Sequence, residues 1–156
     1  MDAKYFEDRK ANFSHGPIEY VNMAGIKIDV MEERHVRAIL PVNPIHLNHV
    51  GTVYAGSMFT FAEALGGNLF ACTYGPAYVP VIKGVEVHYL KPTKKDLVFD
   101  VSLTEEEAAD KIALAAKRGR GDYFLDIPIF DIDGIKVCDC KFNYYAFSAE
   151  KIKEFA

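Results

Sequence analysis

The segment from Ala55 to Tyr74 constrains the fold more than any other part of this 156-residue sequence. Its apolar side chains would point in nearly every direction around a helix, and Gly75 with Pro76 ends the run. A helix of this kind has to be enclosed by other elements. The run is long enough for a membrane span, but Glu63, Asn68 and three glycines interrupt it, which favours a buried core helix.

Strand patterns lie on both sides of this helix. Residues 26–40 alternate apolar and polar side chains around a turn at 32–34, a pattern typical of a hairpin. After the helix, alternation and turn signals predict four more strands, the last two joined at Asp133-Gly134: residues 79–90, 97–103, 123–130 and 135–147. Further helices are predicted at 2–12, at 16–23, between the capping box of Thr104 and the stop at Gly119, and after Ser148.

The order of these elements predicts an α+β fold, with one antiparallel sheet of five or six strands curled around one long helix. Two strands precede the helix and about four follow it. By length the chain is expected to form one domain over residues 1–156, with its core at about 26–147. A sheet covered by one helix leaves a face or an edge open, so an oligomer is predicted.

Composition limits the classes of function. The net charge of -4 and a pI near 5.7 give no reason to expect nucleic-acid binding or a basic membrane anchor. The first ten residues, MDAKYFEDRK, are charged from the second onward and carry no export signal. A cytoplasmic location is therefore the expectation, with Cys72, Cys138 and Cys140 as reduced thiols.

A polar stripe runs along the otherwise apolar central helix. Ser57, Thr60 and Glu63 are spaced three residues apart and therefore share one face. The stripe begins near the helix N-terminus, where the first N–H groups have no intrahelical acceptor and lie at the positive end of the dipole. The amides of Ala55, Gly56 and Ser57 are thus suited to a carbonyl that becomes an oxyanion.

Glu63 lies two turns further into the helix than these amides. A carboxylate there is able to hold or deprotonate a water aimed at the carbonyl, and Gly56 lets a ligand approach the backbone. This combination predicts acyl transfer to water. A structural role is the alternative, in which Glu63 is a buried carboxylate bonded to a neighbouring strand or across a subunit interface.

Residues 48–63, NHVGTVYAGSMFTFAE, resemble the active-site segment of hotdog-fold acyl-CoA thioesterases of the phenylacetyl-CoA type. The motif of that family has Asn or Gln, then Gly, then His-Gly-Gly leading into the helix, then Asp or Glu. The matching positions here are Asn48, Gly51, Tyr54-Ala55-Gly56 and Glu63. The strand order over residues 26–147 and the strand end Tyr89-Leu90-Lys91-Pro92 also look like this family.

The resemblance implies a homodimer of two hotdog domains, with the homotetramer as a possible dimer of dimers and with catalytic residues from both chains. Glu63 would be the general base or nucleophile, and Asn48 would position the water or the thioester. The amide of Ala55, with Gly56, would hold the thioester oxygen, and Tyr54 and Thr60 complete the substrate-binding set. The implied substrate is an acyl thioester of coenzyme A or of an acyl carrier protein. No metal or redox cofactor is needed, because coenzyme A is part of the substrate.

Two positions depart from the family motif. Tyr54 stands where the family often has histidine, and Ala55 stands where it has the first glycine of the pair. An alanine still donates its backbone N–H. A tyrosine donates a hydrogen bond but is no proton relay at neutral pH.

Two other functions remain open at this point. The spacing of His49 and Glu63 resembles the His and Glu pair of hotdog β-hydroxyacyl-thioester dehydratases, in which His49 would remove the α proton and Glu63 would act on the β-hydroxyl. Against it, the loop lacks the proline-rich stretch of those enzymes. The other alternative is a non-catalytic acyl-thioester-binding protein, against which the presence of both Asn48 and Glu63 counts.

The remaining candidates have structural explanations. His46 and His49 form an H-x-x-H loop without a third ligand at a suitable spacing, which disfavours a zinc site. The alternation of Cys138 and Cys140 on one strand face is typical of a core. Four basic residues in predicted loops either grip the phosphates of coenzyme A or form a solvated face: Lys94, Lys95, Arg118 and Arg120.

Overall fold

The computed structural model describes the backbone of residues 1–155 and the side chains of residues 1–154. The central helix, α3, spans Ala55–Tyr74, with the bounds that the sequence predicted. The described residues also form nine strands: β1 Lys27–Glu32, β2 His35–Leu40, β3 Tyr78–Pro80, β4 Gly84–Tyr89, β5 Leu97–Ser102, β6 Arg120–Gly121, β7 Phe124–Asp131, β8 Lys136–Asn143 and β9 Ala146–Ser148. Six of them form one antiparallel sheet in the order β1-β2-β5-β7-β8-β4, which confirms the predicted α+β architecture.

The two ends of this sheet are different. At one end β1 pairs with β2, and the N-terminal helix lies against β1. At the other end β4 pairs with β8 alone, and nearly all of its residues are exposed on both faces of the sheet. Val85 is 42% exposed and Tyr89 is 50% exposed, so apolar and aromatic side chains reach solvent at this edge. The predicted open edge is therefore β4.

The core is built from the inner face of the sheet and the sheet-facing side of α3. Phe61, Leu65 and Leu69 have no exposed surface. Three ring contacts join α3 to Phe99 of β5, Phe142 of β8 and Tyr123 just before β7, with centroid distances of 6.4 Å for Phe61–Phe99, 5.9 Å for Phe59–Phe142 and 4.8 Å for Phe70–Tyr123. Such aromatic pairs contribute beyond the area that they bury, and they fix α3 against the sheet.

The strand predicted at 79–90 is two strands in two sheets, and so is the strand predicted at 135–147. Residues 78–80 (β3) and 146–148 (β9) pair in a small sheet of order β3-β9-β6, which the sequence did not predict. The two breaks lie opposite each other, since the amides of Val81 and Lys83 donate to the carbonyls of Tyr144 and Asn143 at 2.9 Å each. The Asn143 side chain stabilises the bend by accepting from the amides of Tyr123 and Tyr145.

The remaining helices are α1 Ala3–Asn12, α2 Glu19–Met23, α4 Glu105–Arg118 and α5 Ala149–Ile152. The predicted capping box of α4 has both of its bonds, from the Glu107 amide to the Thr104 hydroxyl and from the Thr104 amide to the Glu107 carboxylate. The predicted Ser148 cap of α5 is also present. Helix α2 begins at Glu19 and not at residue 16 as predicted, because Gly16 and Ile18 have extended backbones. No helix in the described part of the chain is both long enough and apolar enough to cross a membrane.

Candidate active site

Asn48 shapes the turn that leads into α3. Its side-chain oxygen accepts from the amides of Val50 at 3.0 Å and Thr52 at 3.1 Å, and its Nδ2 donates to the Thr52 hydroxyl at 2.9 Å. Gly51 takes the left-handed conformation that the turn requires, with φ of 77°. The structure therefore places the Asn48 side chain in bonds within its own loop, with one Nδ2 hydrogen left for another acceptor.

The residue before α3 is fixed by a backbone hydrogen bond, whereas the first amides of the helix have no acceptor within it. Tyr54, the residue before the helix, donates its amide to the His46 carbonyl at 2.8 Å. Its side chain does not cap the helix. The amides of Ala55 and Gly56 begin the helix, so they have no acceptor in the helix itself. Two adjacent N–H groups thus lie at the positive end of a 20-residue helix.

Two tyrosines contact the first two residues of α3. The ring of Tyr54 folds against Gly56 so closely that a Cβ at position 56 would overlap it. The hydroxyl of Tyr89, at the end of β4, donates to the Ala55 carbonyl at 3.2 Å. Burial, with the nearby Cys138, Cys140 and Tyr54, raises the pKa of Tyr89, so it remains a hydrogen-bond donor at neutral pH. A glycine is thus needed at position 56 to leave room for the Tyr54 ring, and it also leaves room for a ligand to approach the backbone.

Glu63 is partly buried, and burial is the cause that raises the pKa of its carboxyl. None of the ion pairs between described residues includes it. Its backbone carbonyl accepts a hydrogen bond of 2.8 Å from the hydroxyl of Tyr144, a buried residue just after β8. A carboxylate with a raised pKa on a fixed helical turn is suited to take a proton from a water.

The predicted polar stripe separates into two parts. Ser57 donates to the His46 carbonyl at 3.2 Å, and Ser57 and Thr60 line a cavity of about 130 Å³ beneath α2 with a largely apolar wall, formed by Tyr20, Met23, Ala24, Leu40, Ile45 and His46. Glu63 is not among the residues that line this cavity. It lies one turn before Gly67, where a Cβ would meet nothing within 4 Å, so this side of the helix is open.

Distance along the helix separates Glu63 from the free amides. Glu63 follows Ala55 by eight positions in the sequence, which corresponds to about 12 Å along a helix axis. One water molecule is therefore too small to bridge a thioester carbonyl at the Ala55 amide and the Glu63 carboxylate of the same chain. The predicted site residues fall into one group at Tyr54, Ala55 and Gly56 and a second group at Glu63.

The other candidates have defined places. Both ring nitrogens of His46 are bonded, Nδ1 to the Asn43 amide and Nε2 to the Ala24 carbonyl, so it joins the loop to the end of α2. Cys138 and Cys140 are buried free thiols with 3.6 Å between their sulfurs, as predicted for a core pair. His49 is exposed in the turn after Asn48.

The four basic residues do not form one cluster. Lys94 lies beside Gly51, and Lys95 pairs with Asp133 at the end of β7. Arg118 and Arg120 lie with Lys83 before the start of β7, so the length of that strand separates the two pairs. Only the first pair is close to the loop that leads into α3.

A family model of a domain of unknown function, DUF4442, matches residues 13–146. The chain belongs to the DUF4442 family. The match includes α2, the whole six-stranded sheet, the Asn48 loop and α3. No curated protein matches the sequence.

Solved structures show which fold this DUF4442 chain shares. It is similar to PA5026 from Pseudomonas aeruginosa, a protein of unknown function and probable thioesterase, with a TM-score of 0.82 and 28% identity over 91% of this chain and 95% of that chain. It is also similar to the thioesterase HI1161 from Haemophilus influenzae, with a TM-score of 0.70 and 16% identity over 92% and 91% of the two chains. A hypothetical thioesterase from Streptococcus pneumoniae, solved with coenzyme A, gives a TM-score of 0.62 and 20% identity over 79% and 86%.

These similarities confirm the predicted hotdog fold and the predicted kinship with hotdog-fold thioesterases. The sequence did not identify Tyr89 or Tyr144 as residues of the site. In the sequence, the one feature that could have pointed to these two tyrosines was their position at the ends of predicted strands that cover α3. Neither was predicted, because the contacts with Ala55 and Glu63 span 34 and 81 residues of sequence.

Proposed function

We propose that this DUF4442 chain is a thioesterase that hydrolyses a small-molecule acyl thioester, of coenzyme A or of an acyl carrier protein. The observation that carries the proposal is the open N-terminus of α3, where the Ala55 and Gly56 amides have no helical acceptor, the Tyr54 ring packs on Gly56 and the Tyr89 hydroxyl bonds to the Ala55 carbonyl. The thioester carbonyl binds at these amides. As the carbonyl becomes an oxyanion, the same two N–H groups stabilise the developing charge.

Glu63 supplies the second part of the chemistry. Burial raises the pKa of its carboxyl, which makes the carboxylate a better proton acceptor than an exposed glutamate. As general base it takes a proton from a water, and the water oxygen forms the new bond to the thioester carbon. Collapse of the tetrahedral intermediate releases the thiolate, which takes up the proton. No metal or redox cofactor enters these steps, since the thioester is already activated.

The proposed enzyme is a homodimer with a composite site. Glu63 and the Ala55 amide are about 12 Å apart along one helix, so the proposal assigns the amides to one protomer and the carboxylate to its partner. The exposed edge strand β4 ends at Tyr89, beside the helix N-terminus, and a second β4 pairing there would bring the two halves together. A pairing of two such dimers would give a tetramer.

Asn48 and Thr60 have positions compatible with substrate-side roles. The free Nδ2 hydrogen of Asn48 is available to a water or a thioester oxygen, while its other bonds fix the loop. Thr60 lines the small apolar cavity beneath α2, which is suited to part of an acyl group. Lys94, whose ammonium group lies beside Gly51 of the same loop, is a basic group available to the phosphates of coenzyme A.

The direct test is thiol release from a panel of acyl-CoAs by the wild type and by Glu63→Gln. We expect release by the wild type and a loss of about 10²-fold or more in kcat for the variant. The matched control is Glu106→Gln, an exposed glutamate in the first turn of α4, which should keep the wild-type rate. Equal rates for Glu63→Gln and the wild type would contradict the proposal, and so would the absence of release from every thioester by a folded wild type.

A further inference from the structure

The small apolar cavity beneath α2 lies directly beside the proposed thioester site. Ser57, which lines the cavity, follows Gly56 in the chain, and its hydroxyl donates to the carbonyl of His46, another lining residue. The Tyr54 amide donates to the same carbonyl. An acyl group whose carbonyl is bound at the Ala55 and Gly56 amides therefore has the cavity within reach of its hydrocarbon chain.

The inner wall of this cavity is fixed. Leu40 and His46 are both buried there. The Nε2 of His46 donates to the Ala24 carbonyl at 2.9 Å, and its Nδ1 accepts from the Asn43 amide at 3.1 Å, so the ring holds the loop against the end of α2. Packed and bonded residues of this kind yield little, so the wall limits how far a chain enters.

The cavity is also short along α3. Gly56 and Thr60 are four positions apart, which corresponds to about 6 Å along the helix axis. The next residue on this face, Ala64, lines a separate cavity between the N-terminal segment and α3. At about 130 Å³, the cavity beneath α2 is close in volume to an engineered protein cavity of about 150 Å³ that binds benzene, a molecule of six carbons. It therefore has room for about five carbons.

The outer wall of the cavity ends at the protein surface. Tyr20 and Met23 of α2 and Ile45 of the loop line the cavity and are largely exposed. Carbons that extend past these side chains lie in water, where they gain nothing from burial. We infer that this cavity is the acyl pocket of the proposed thioesterase and that it recognises a short acyl chain, so that the benefit of each added methylene ends at about hexanoyl. The inference rests on the proposed function.

A chain-length series tests this inference. Thiol release is measured for straight-chain acyl-CoAs from acetyl to decanoyl, and the logarithm of kcat/KM is plotted against the number of acyl carbons. Each methylene that enters the acyl pocket should raise kcat/KM about fourfold, and methylenes beyond about hexanoyl should add little.

The outcomes of this series separate the acyl pocket from the proposed function. A profile that is flat from acetyl onward, or one that keeps rising to decanoyl, would overturn the acyl pocket and leave the thioesterase proposal in place. No thiol release from any thioester by the folded wild type would overturn the thioesterase proposal and the acyl pocket with it.

Two variants should move the chain-length limit in opposite directions. Thr60→Leu fills part of the acyl pocket from α3, so the rise in kcat/KM should end at about butanoyl. Leu40→Ala removes carbons from the inner wall, so the rise should continue to about octanoyl. The readout is the ratio of kcat/KM between chain lengths within one variant, which a general loss of activity does not change.

Ile18→Ala is the matched control, at an exposed residue just before α2 that lines the separate cavity and not the acyl pocket. Its chain-length profile should match that of the wild type. Thermal unfolding identifies a variant that does not fold, and the other variant then decides. A limit that stays at the same chain length in folded Thr60→Leu or in folded Leu40→Ala would overturn the inference.

Discussion

The hydroxyl of Tyr144 donates a hydrogen bond of 2.8 Å to the backbone carbonyl of Glu63. The bond requires Gly66, because a Cβ at that position would overlap the hydroxyl. Tyr144 is buried after β8, so the sheet fixes the helical turn that carries the carboxylate. Tyr89 fixes the first turn of the same helix through the Ala55 carbonyl. Two tyrosines of the sheet side thus position both parts of the proposed site.

Gly66→Ala should destabilise the protein strongly. Its new Cβ would overlap the Tyr144 hydroxyl and lie 2.6 Å from the Cδ1 of Ile127, and both of these residues are buried in the core. Overpacking of this kind costs about 1–3 kcal/mol, more than the roughly 1 kcal/mol that alanine gains over glycine in a helix. Chemical denaturation measures the difference in the free energy of unfolding.

Gly67→Ala is the matched control for this prediction, since a Cβ at position 67 meets nothing within 4 Å in the chain. It should be neutral or stabilising by up to about 1 kcal/mol. If both alanine variants unfold at the same denaturant concentration as the wild type, the close contact between Gly66 and Tyr144 is not present in solution.

The sequence predicted the parts of the fold that local chemistry decides. The bounds of α3, the capping box of Thr104 with Glu107 and the hairpin at Asp133-Gly134 all depend on neighbours within a few residues, and all are confirmed. The breaks at 81–83 and 144–145 were missed because alternation continues through them while the chain passes between sheets. They depend on the contact of two distant segments.

The parts of the candidate site that depend on local sequence were also predictable, and the parts that depend on tertiary contacts were not. The helix N-terminus and the carboxylate could be located in the sequence, because a glycine, a helix start and one charged residue are local signals. The bonds of Asn48 within its loop and the two tyrosine contacts could not, because they depend on side-chain directions and tertiary distances.

The cost of burying Glu63 should be visible in the pH dependence of stability. Burial raises the folded-state pKa of its carboxyl above the ordinary value of 4.5. Above the raised pKa the carboxylate is ionised in both states but desolvated only in the folded one, so the folded state loses stability as pH rises through this range. At pH below 4.5 both states are protonated and the cost disappears.

Glu63→Gln removes this pH-dependent cost. At neutral pH the variant should therefore unfold at a higher temperature than the wild type, and the difference should shrink as pH falls towards 4. Melting temperatures of the two proteins between pH 4 and 8 give the comparison. A variant that is less stable at neutral pH would mean that the carboxylate has a stabilising partner in the protein.

A charge at the open sheet edge should separate the proposed dimer. Val85 is on β4 and 42% exposed in the single chain, so Val85→Lys would place two ammonium groups at a β4 interface. Light scattering should give a monomer for this variant and a dimer for the wild type, with thioester hydrolysis lost together with the dimer.

The matched control for this edge variant is Ile135→Lys, which replaces a 43% exposed residue away from β4, in the turn between β7 and β8. It should remain a dimer with the wild-type rate. A Val85→Lys protein that is monomeric and fully active would contradict the composite site, and a dimeric one would place the interface elsewhere.

Mixing two inactive variants tests the central claim most directly. Ala55→Pro removes the first amide donor at a helical position where proline is tolerated, and the extended ψ of 138° at Tyr54 is compatible with a following proline. Glu63→Gln removes the base. Each homodimer should lose about 10²-fold or more in kcat for acyl-CoA hydrolysis.

In a heterodimer of these two variants, one composite site regains both an intact Ala55 amide and an intact Glu63. Unfolding and refolding the two proteins together in equal amounts should therefore restore about a quarter of the wild-type activity, since about half of the dimers are mixed and each mixed dimer has one intact site. Activity that stays at the level of the separate variants, with mixed dimers present, would contradict a site shared between two chains.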